Sequence, residues 1–239
     1  IGYIILHHQQ LMESWANLNQ AVRTGEPLRK RASDRDESWR ENFLMGMFNI
    51  AMNLAPRLAP LIDLSGCDHL LDLGGGPGTY AIHFCKENPG LKATVFDLPT
   101  TQPFAEKTIK QFDLTERITF KPGSYLEDDI GKGYNAAWLS HILHGEGPAG
   151  CDQFIQKAVN ALTPGGRIII HEFILDNTMD APLFPALFSL NMLLGTSDGR
   201  AYSRQQLEDM LTRAGVKDIQ RLSFDSPTDS SILSGVVNK

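Results

Sequence analysis

Hydrophobic residues follow two different rhythms along this chain of 239 residues. In the N-terminal quarter they step by three and four. Leu11, Trp15, Leu18 and Val22 fall on one face of a helix. Thr24-Gly25-Glu26-Pro27 stops that pattern. Residues 28–38, LRKRASDRDES, are charged and lack apolar anchors, which predicts a solvated loop. Acids interleave with the bases there, which argues against a phosphate-binding patch. A helical pattern returns over 39–62 with an expected break at Pro56, and a linker is placed near 63–68.

Beyond the linker, short apolar runs alternate with helical patterns. Strands are predicted at 69–73, 91–97, 117–121, 134–140 and 166–173, and helices at 78–88, 101–113, 151–162 and 203–214. Two last strands, about 217–224 and 231–237, flank the turn signal Ser226-Pro227-Thr228-Asp229. A connection that short cannot cross over a sheet, so this pair is expected to be antiparallel. The fold class is therefore α/β: a Rossmann-like seven-stranded sheet with helices on both faces, an antiparallel last pair and an N-terminal helical annex.

One junction in this pattern carries chemistry. The run Leu70 to Leu73 ends in Gly74-Gly75-Gly76-Pro77-Gly78, a helix follows, and the next apolar run stops at Asp97. Glycines at a strand-to-helix turn let backbone N–H groups approach a ligand. An acid at the tip of the second strand is placed to accept from two ribose hydroxyls. The spacing G-x-G-x-G departs from the dinucleotide fingerprint G-x-G-x-x-G. Asp72, just before the first glycine, suits a cationic amino group better than a pyrophosphate. S-adenosylmethionine (SAM), with an ammonium, a sulfonium and a ribose, fits both acids better than NAD, and an NAD-dependent oxidoreductase is the weaker alternative.

Composition narrows the setting. The chain is 42% hydrophobic and 21% charged, an ordinary globular balance. A net charge of −6 argues against a nucleic-acid partner, which would need a basic face. Cys67, Cys85 and Cys151 are isolated, so neither a disulfide framework nor a zinc site is indicated, and a reducing cytoplasm fits. No segment reaches the roughly 20 apolar residues of a membrane span. The chain opens on Ile1 inside an apolar run, as expected of a piece of a longer protein.

The motifs LDLGGGPG (71–78), VFDLP (95–99), RITFKPGSYLE (117–127), LSHILH (139–144), TPGGRIIIHE (163–172) and LNMLLG (190–195) together resemble the class I SAM-dependent small-molecule O-methyltransferases. The resemblance spans nearly the whole chain. It implies a helical linker and substrate lid over 1–65, a SAM-binding catalytic domain over 66–239, and a homodimer formed through an upstream winged-helix domain that this chain does not include. It assigns Asp72, Gly74, Gly75, Gly76 and Gly78 to the methionyl end, Asp97 to the ribose, and Leu98, Gly123 and Tyr125 to the adenine surroundings. Ser124 stands where the family usually has an aspartate, and Ser140 where many members have a lysine. Arg40 is a replacement partner for the SAM carboxylate.

The same resemblance makes His144 the general base and Glu172 its orienting acid, acting on a hydroxyl of a small aromatic metabolite. Histidine titrates near neutrality, which suits proton removal from a phenol. The family's usual His-Asp-Trp is His144-Gly145-Glu146 here, and a second family glutamate falls on Ala201. That leaves His144 one acidic partner rather than two; Glu146 is the acid available to stand in, at a different spacing. Those departures motivate a further alternative, a protein that binds SAM without methyl transfer. Phe43, Met47, His141, Phe188, Met192 and Thr196 are the expected acceptor-pocket residues, with Phe184 and Met52 beside them. His171 is read as structural, and His7 and His8 as surface or linker residues.

Overall fold

The computed structural model describes residues 2–222 and 224–238. Helix α1 (Gly2–Ala16) and helix α2 (Leu18–Thr24) are interrupted at Asn17. The break turns the expected helical face: Ala21 is buried, whereas Val22 is 61% exposed. A strap over 25–36 contains one short 3-10 turn, Ala32–Asp34, and leads into α3 (Glu37–Leu58). Asp36 caps α3 by accepting from the Trp39 N–H at 3.0 Å. The helix runs through Pro56 rather than breaking there. Pro56 lies in the last turns, where one missing hydrogen bond is offset by the burial of Leu54, Ala55 and Leu58. Helix α1 crosses α3 at Gly46, where a Cβ would stand 3.3 Å from Ile4 Cα.

The remaining elements run β1 (His69–Leu73), α4 (Thr79–Glu87), β2 (Lys92–Asp97), α5 (Gln102–Gln111), β3 (Ile118–Pro122), β4 (Tyr134–Ser140), α6 (Pro148–Ala161), β5 (Leu162–Glu172), β6 (Ile174–Leu175), α7 (Leu183–Gly195), β7 (Tyr202–Ser203), α8 (Arg204–Arg213), β8 (Val216–Leu222) and β9 (Ser231–Val237). Among the described residues, seven strands form one sheet in the order β3-β2-β1-β4-β5-β9-β8. β9 is antiparallel to both β5 and β8, and for β8 the short connection requires it. The end of the expected 217–224 strand falls partly outside the described residues, at Ser223, as does Ile1. The parallel pair β6–β7, not expected from the sequence, adds a second small sheet.

Period-two alternation divides the core between the two faces. Leu71, Leu73, Leu139, Ile168 and Ile170 pack with Phe154 of α6 and Leu207 of α8. Leu70, Val95, Trp138 and Ile169 pack with Ile82 of α4 and Leu58 of α3. The chain winds outward in opposite directions from β1 and β4, so a crevice opens at their C-terminal ends. The glycine turn and the His141–His144 segment lie on its two sides.

Candidate active site

The β1 side of the crevice is shaped by close backbone approach. Gly74 has φ +68°, and a Cβ there would lie 2.0 Å from Ile142 Cδ1, so only glycine fits. At Gly75 a Cβ would stand 2.6 Å from Asp72 Cγ, so the turn wraps directly round that carboxylate. Asp72 is 1% exposed. Its Oδ2 accepts from the Ala81 N–H at 3.2 Å, while Oδ1 is buried with no protein partner. Burial pushes its carboxyl up to about 7; nearby Asp97 adds to this and the Ala81 N–H opposes it.

Asp97, at the end of β2, accepts from the Gly76 N–H at 2.8 Å, the Leu98 N–H at 2.7 Å and the Thr101 hydroxyl at 3.0 Å. It therefore ties the glycine turn to the second strand. Burial raises its carboxyl despite these bonds. The Gly123 N–H donates to the Asp97 carbonyl at 2.9 Å, and a Cβ on Gly123 would press on Phe96. Ser124 donates its N–H to Asp128 at 2.8 Å, and its hydroxyl accepts weakly from the Glu127 N–H. The Tyr125 ring packs 4.7 Å from Phe154, and its hydroxyl donates to Glu146 Oε1 at 2.9 Å.

On the β4 side, Ser140 faces inward, its hydroxyl 3.0 Å from His171 Nδ1. His171 is completely buried between Ser140 and Ser230, and burial holds it well below its ordinary pKa, a neutral structural histidine. His144, in the short turn Leu143–Gly145, has Nδ1 2.9 Å from Glu172 Oε2. Strands β4 and β5 are neighbours, which brings the two together. Burial alone would raise the Glu172 carboxyl; His144, His141 and the Phe173 N–H more than offset it, so it lies below its ordinary value. His141 stands in the left-handed region (φ 53°), with Nδ1 3.8 Å from Glu172 Oε2. Burial lowers His141 to about 4, against the opposing pull of Glu172. These three side chains bring one ligand-type atom each within 4.8 Å of one another. The shortest contact is a hydrogen bond that any metal would have to replace.

An aromatic wall adjoins His144. The Phe188 ring meets His144 edge-on at 4.7 Å, and Phe173 lies 4.5 Å from Phe188 and 4.3 Å from His141. Phe184 extends the wall, 5.0 Å from Phe173. Met192, on the same helix as Phe188, is 8% exposed. Phe43 packs 5.3 Å from the His7 ring, and burial lowers His7 to about 4. Met47 lies one turn further along α3, half-buried. Met52 Sδ lies 3.5 Å from His83 Nε2. The Thr196 hydroxyl donates to the Met192 carbonyl and accepts from the Gly199 N–H, closing the end of α7. Arg40 donates to the Arg35 carbonyl at 2.5 Å.

Two expectations need correction. Residues 28–38 are not simply solvated. Arg29 donates to Ser14 Oγ at 3.0 Å, Asn191 O at 3.0 Å and Asn191 Oδ1 at 2.9 Å. Arg31 donates to Glu146 Oε1 and to the Gly145 carbonyl, both at 2.7 Å. Apart from Ser14, the partners of these arginines lie more than a hundred positions away, which local charge patterning does not report. Glu146 is engaged with Arg31 and Tyr125 rather than serving His144 as a second acid. Phe173 and Tyr202, whose hydroxyl donates to the Glu146 carbonyl at 2.6 Å, also escaped the sequence reading.

The residues present fit SAM. Asp72 offers an orphaned buried oxygen beside a turn that admits no Cβ at Gly75, and Asp97 is fixed at the adjoining strand tip. The fold and crevice thus define a nucleotide-type site at a topological switch point. Residues 15–217 match the O-methyltransferase domain family, and the chain belongs to it. Among its relatives, 3-hydroxy-5-methyl-1-naphthoate 3-O-methyltransferase of Streptomyces sahachiroi is 32% identical over 98% of this chain and 69% of its own length. The tetracenomycin polyketide synthesis 8-O-methyl transferase TcmO of Streptomyces glaucescens is 30% identical over 97% of this chain and 69% of its own. The human N-acetylserotonin methyltransferase crystallised with SAM superposes with a TM-score of 0.82, at 26% identity, over 95% of this chain and 67% of that one. The protein is a SAM-dependent O-methyltransferase of small molecules. Among the described residues no helix is long and apolar enough to cross a membrane.

Proposed function

We propose that the chain methylates a hydroxyl of an aromatic metabolite, with His144 as general base and Glu172 as its orienting acid. The observation that carries this is the 2.9 Å contact of His144 Nδ1 with Glu172, alongside the Phe188 edge at 4.7 Å. An ionised carboxylate only accepts, so Nδ1 carries the hydrogen and Nε2 is left free to take a proton. A phenol with pKa about 10 is a poor nucleophile at neutral pH until that proton begins to leave. Bound SAM supplies the electrophilic methyl group. Glu172 holds the tautomer and stabilises the imidazolium that forms. Phe173, Phe188 and Met192 support a flat acceptor ring, with Phe43, Met47, His141 and Thr196 completing the pocket.

In this reading Asp72 and the glycines 74, 75, 76 and 78 hold the amino-acid end and Asp97 the ribose. Leu98, Gly123, Ser124 and Tyr125 surround the adenine, while Ser140 and Arg40 complete the cofactor side. Residues 1–65 act as the acceptor lid and 66–239 as the catalytic domain. The full-length protein is a cytoplasmic homodimer. A hydroxynaphthoate is the first acceptor to try, since a relative is named for one. The test is His144→Gln: S-adenosylhomocysteine (SAH) affinity should persist while turnover falls by about 10² to 10⁴. Undiminished turnover would falsify the base assignment. SAH binding with no transfer to any phenol in the wild type would favour a binding protein instead.

A further inference from the structure

We propose that Arg31 is a positioning residue that, with Glu146, clamps the turn carrying His144; this rests on the reading of His144 as the base. Leu143 anchors the start of the turn Leu143–Gly145 in the core, but its exit at Gly145 carries no side chain. A Cβ built on Gly145 would meet nothing within 4 Å, and glycine restrains its own backbone least of all residues. Hydrogen bonds hold it instead. The Gly145 N–H donates to the Ile142 carbonyl at 3.1 Å and the Glu146 N–H to the Leu143 carbonyl at 3.1 Å. Cys151 Sγ reaches the Leu143 carbonyl at 3.2 Å, and Arg31 adds the bonds from furthest along the chain, Nη2 to the Gly145 carbonyl at 2.7 Å and Nη1 to Glu146 Oε1 at the same distance.

The planar guanidinium is the group that can bridge both oxygens at once; an ammonium on a flexible stem is a single point. Glu146 is itself fixed from two further sides, by the Tyr125 hydroxyl at its carboxylate and the Tyr202 hydroxyl at its carbonyl. Its side chain is 11% exposed, so the carboxylate depends on these partners. The strap that bears Arg31 is anchored in turn to α7, where the Leu28 and Arg29 N–H groups donate to the Leu194 carbonyl. The same strap therefore touches both the base turn and the helix that carries Phe188 and Met192. Arg31 fixes His144 relative to the aromatic wall without touching the acceptor.

Arg31→Met, Arg31→Lys and Glu146→Gln test this beside His144→Gln. Turnover of a hydroxynaphthoate would be measured per SAH-binding site, so that unfolded protein does not count. Backbone hydrogen exchange of the peptide over 141–147 would be read in parallel and needs no acceptor. Misplacing a catalytic group by about an ångström costs on the order of 100-fold, so Arg31→Met should lower kcat roughly ten- to hundredfold with SAH affinity unchanged. Exchange at 141–147 should quicken. Arg31→Lys should recover part of the loss, and Glu146→Gln should lose less than Arg31→Met because the bond to the Gly145 carbonyl survives. If Arg31→Met binds no SAH, the order of the other two variants decides. Unchanged exchange in the variants overturns the clamp. So does normal turnover in Arg31→Met where His144→Gln is inactive. Full turnover in His144→Gln overturns the base reading instead, while the exchange data still report on the clamp.

Discussion

Asp72 shows how a single side chain can be kept ready for a cation. Its buried carboxyl, raised to about 7, has one oxygen without a protein partner. A bound ammonium would favour the charged form, so binding releases a proton whenever Asp72 begins protonated. The sign follows. Affinity for SAH should weaken as pH falls below 7, by about tenfold per unit in the limit where this group alone titrates. Without ligand the sign reverses. A carboxyl raised above its unfolded value contributes stability below about pH 4, and that contribution is lost as pH rises through 7. Calorimetry of SAH binding at pH 6, 7 and 8, in buffers of different ionisation enthalpy, measures both affinity and proton release. Asp72→Asn should flatten the pH dependence and weaken binding about 10- to 100-fold, as expected for loss of one charge-assisted hydrogen bond. A pH-independent affinity in the wild type would show that the Asp72 charge is not in contact with the ligand. Position and chemical type of Asp72 were legible in the sequence because it sits next to the glycine turn. Its missing partner was not, because that depends on how the turn folds around it.

Between elements, some positions in the crevice loops leave no room for a methyl group. A Cβ on Gly199 would stand 2.5 Å from the His144 carbonyl oxygen and 3.1 Å from the Gly145 carbonyl carbon. The segment between α7 and β7 thus presses against the turn that carries His144. Gly199→Ala must shift one of the two, at about 1–3 kcal/mol for overpacking. The expected result is a fall in urea midpoint and in kcat, with SAH affinity nearly unchanged because the glycine turn lies on the other side of the crevice. A loss confined to SAH binding would contradict this geometry. The strands and their order were legible because period-two alternation and short connections constrain a sheet strongly. The N-terminal helices were less so: the break at Asn17 rotated Val22 into solvent, and α3 carried Pro56 within its last turns. In each case packing overrode a local rule. Pairs such as Arg29 with Asn191 or Arg31 with Glu146 leave no periodic trace at all.

At the scale of the molecule, the sheet places Asp72 and Asp97 at the C-terminal ends of β1 and β2 and His144 just after β4, while α3 and α7 carry the side chains proposed to line the acceptor pocket. This division leaves an apolar outer surface on the N-terminal helices. Ile5, Met12 and Val22 are each more than 60% exposed. Ile5 and Met12 are seven residues apart and so share one face of α1. Scattered exposed apolar residues are ordinary, but two on one helical face, with a third on the following helix, suit an isologous contact in which each copy covers the other. A contact between copies of this chain, separate from the upstream contact that the resemblance implies, would use this face. Its rate of exchange with monomer should depend little on salt, because burial of apolar area rather than charge holds it. Light scattering at tens of micromolar should give about twice the chain mass for the wild type. The double variant Ile5→Glu with Met12→Glu should give a monomer, since each new carboxylate would have to be desolvated at the contact. SAH affinity should survive, because Asp72, Asp97 and the glycine turn belong to the sheet edge of each copy. A wild type that scatters as a monomer would remove this face from consideration, and a double variant that stays dimeric would move the contact elsewhere on the chain.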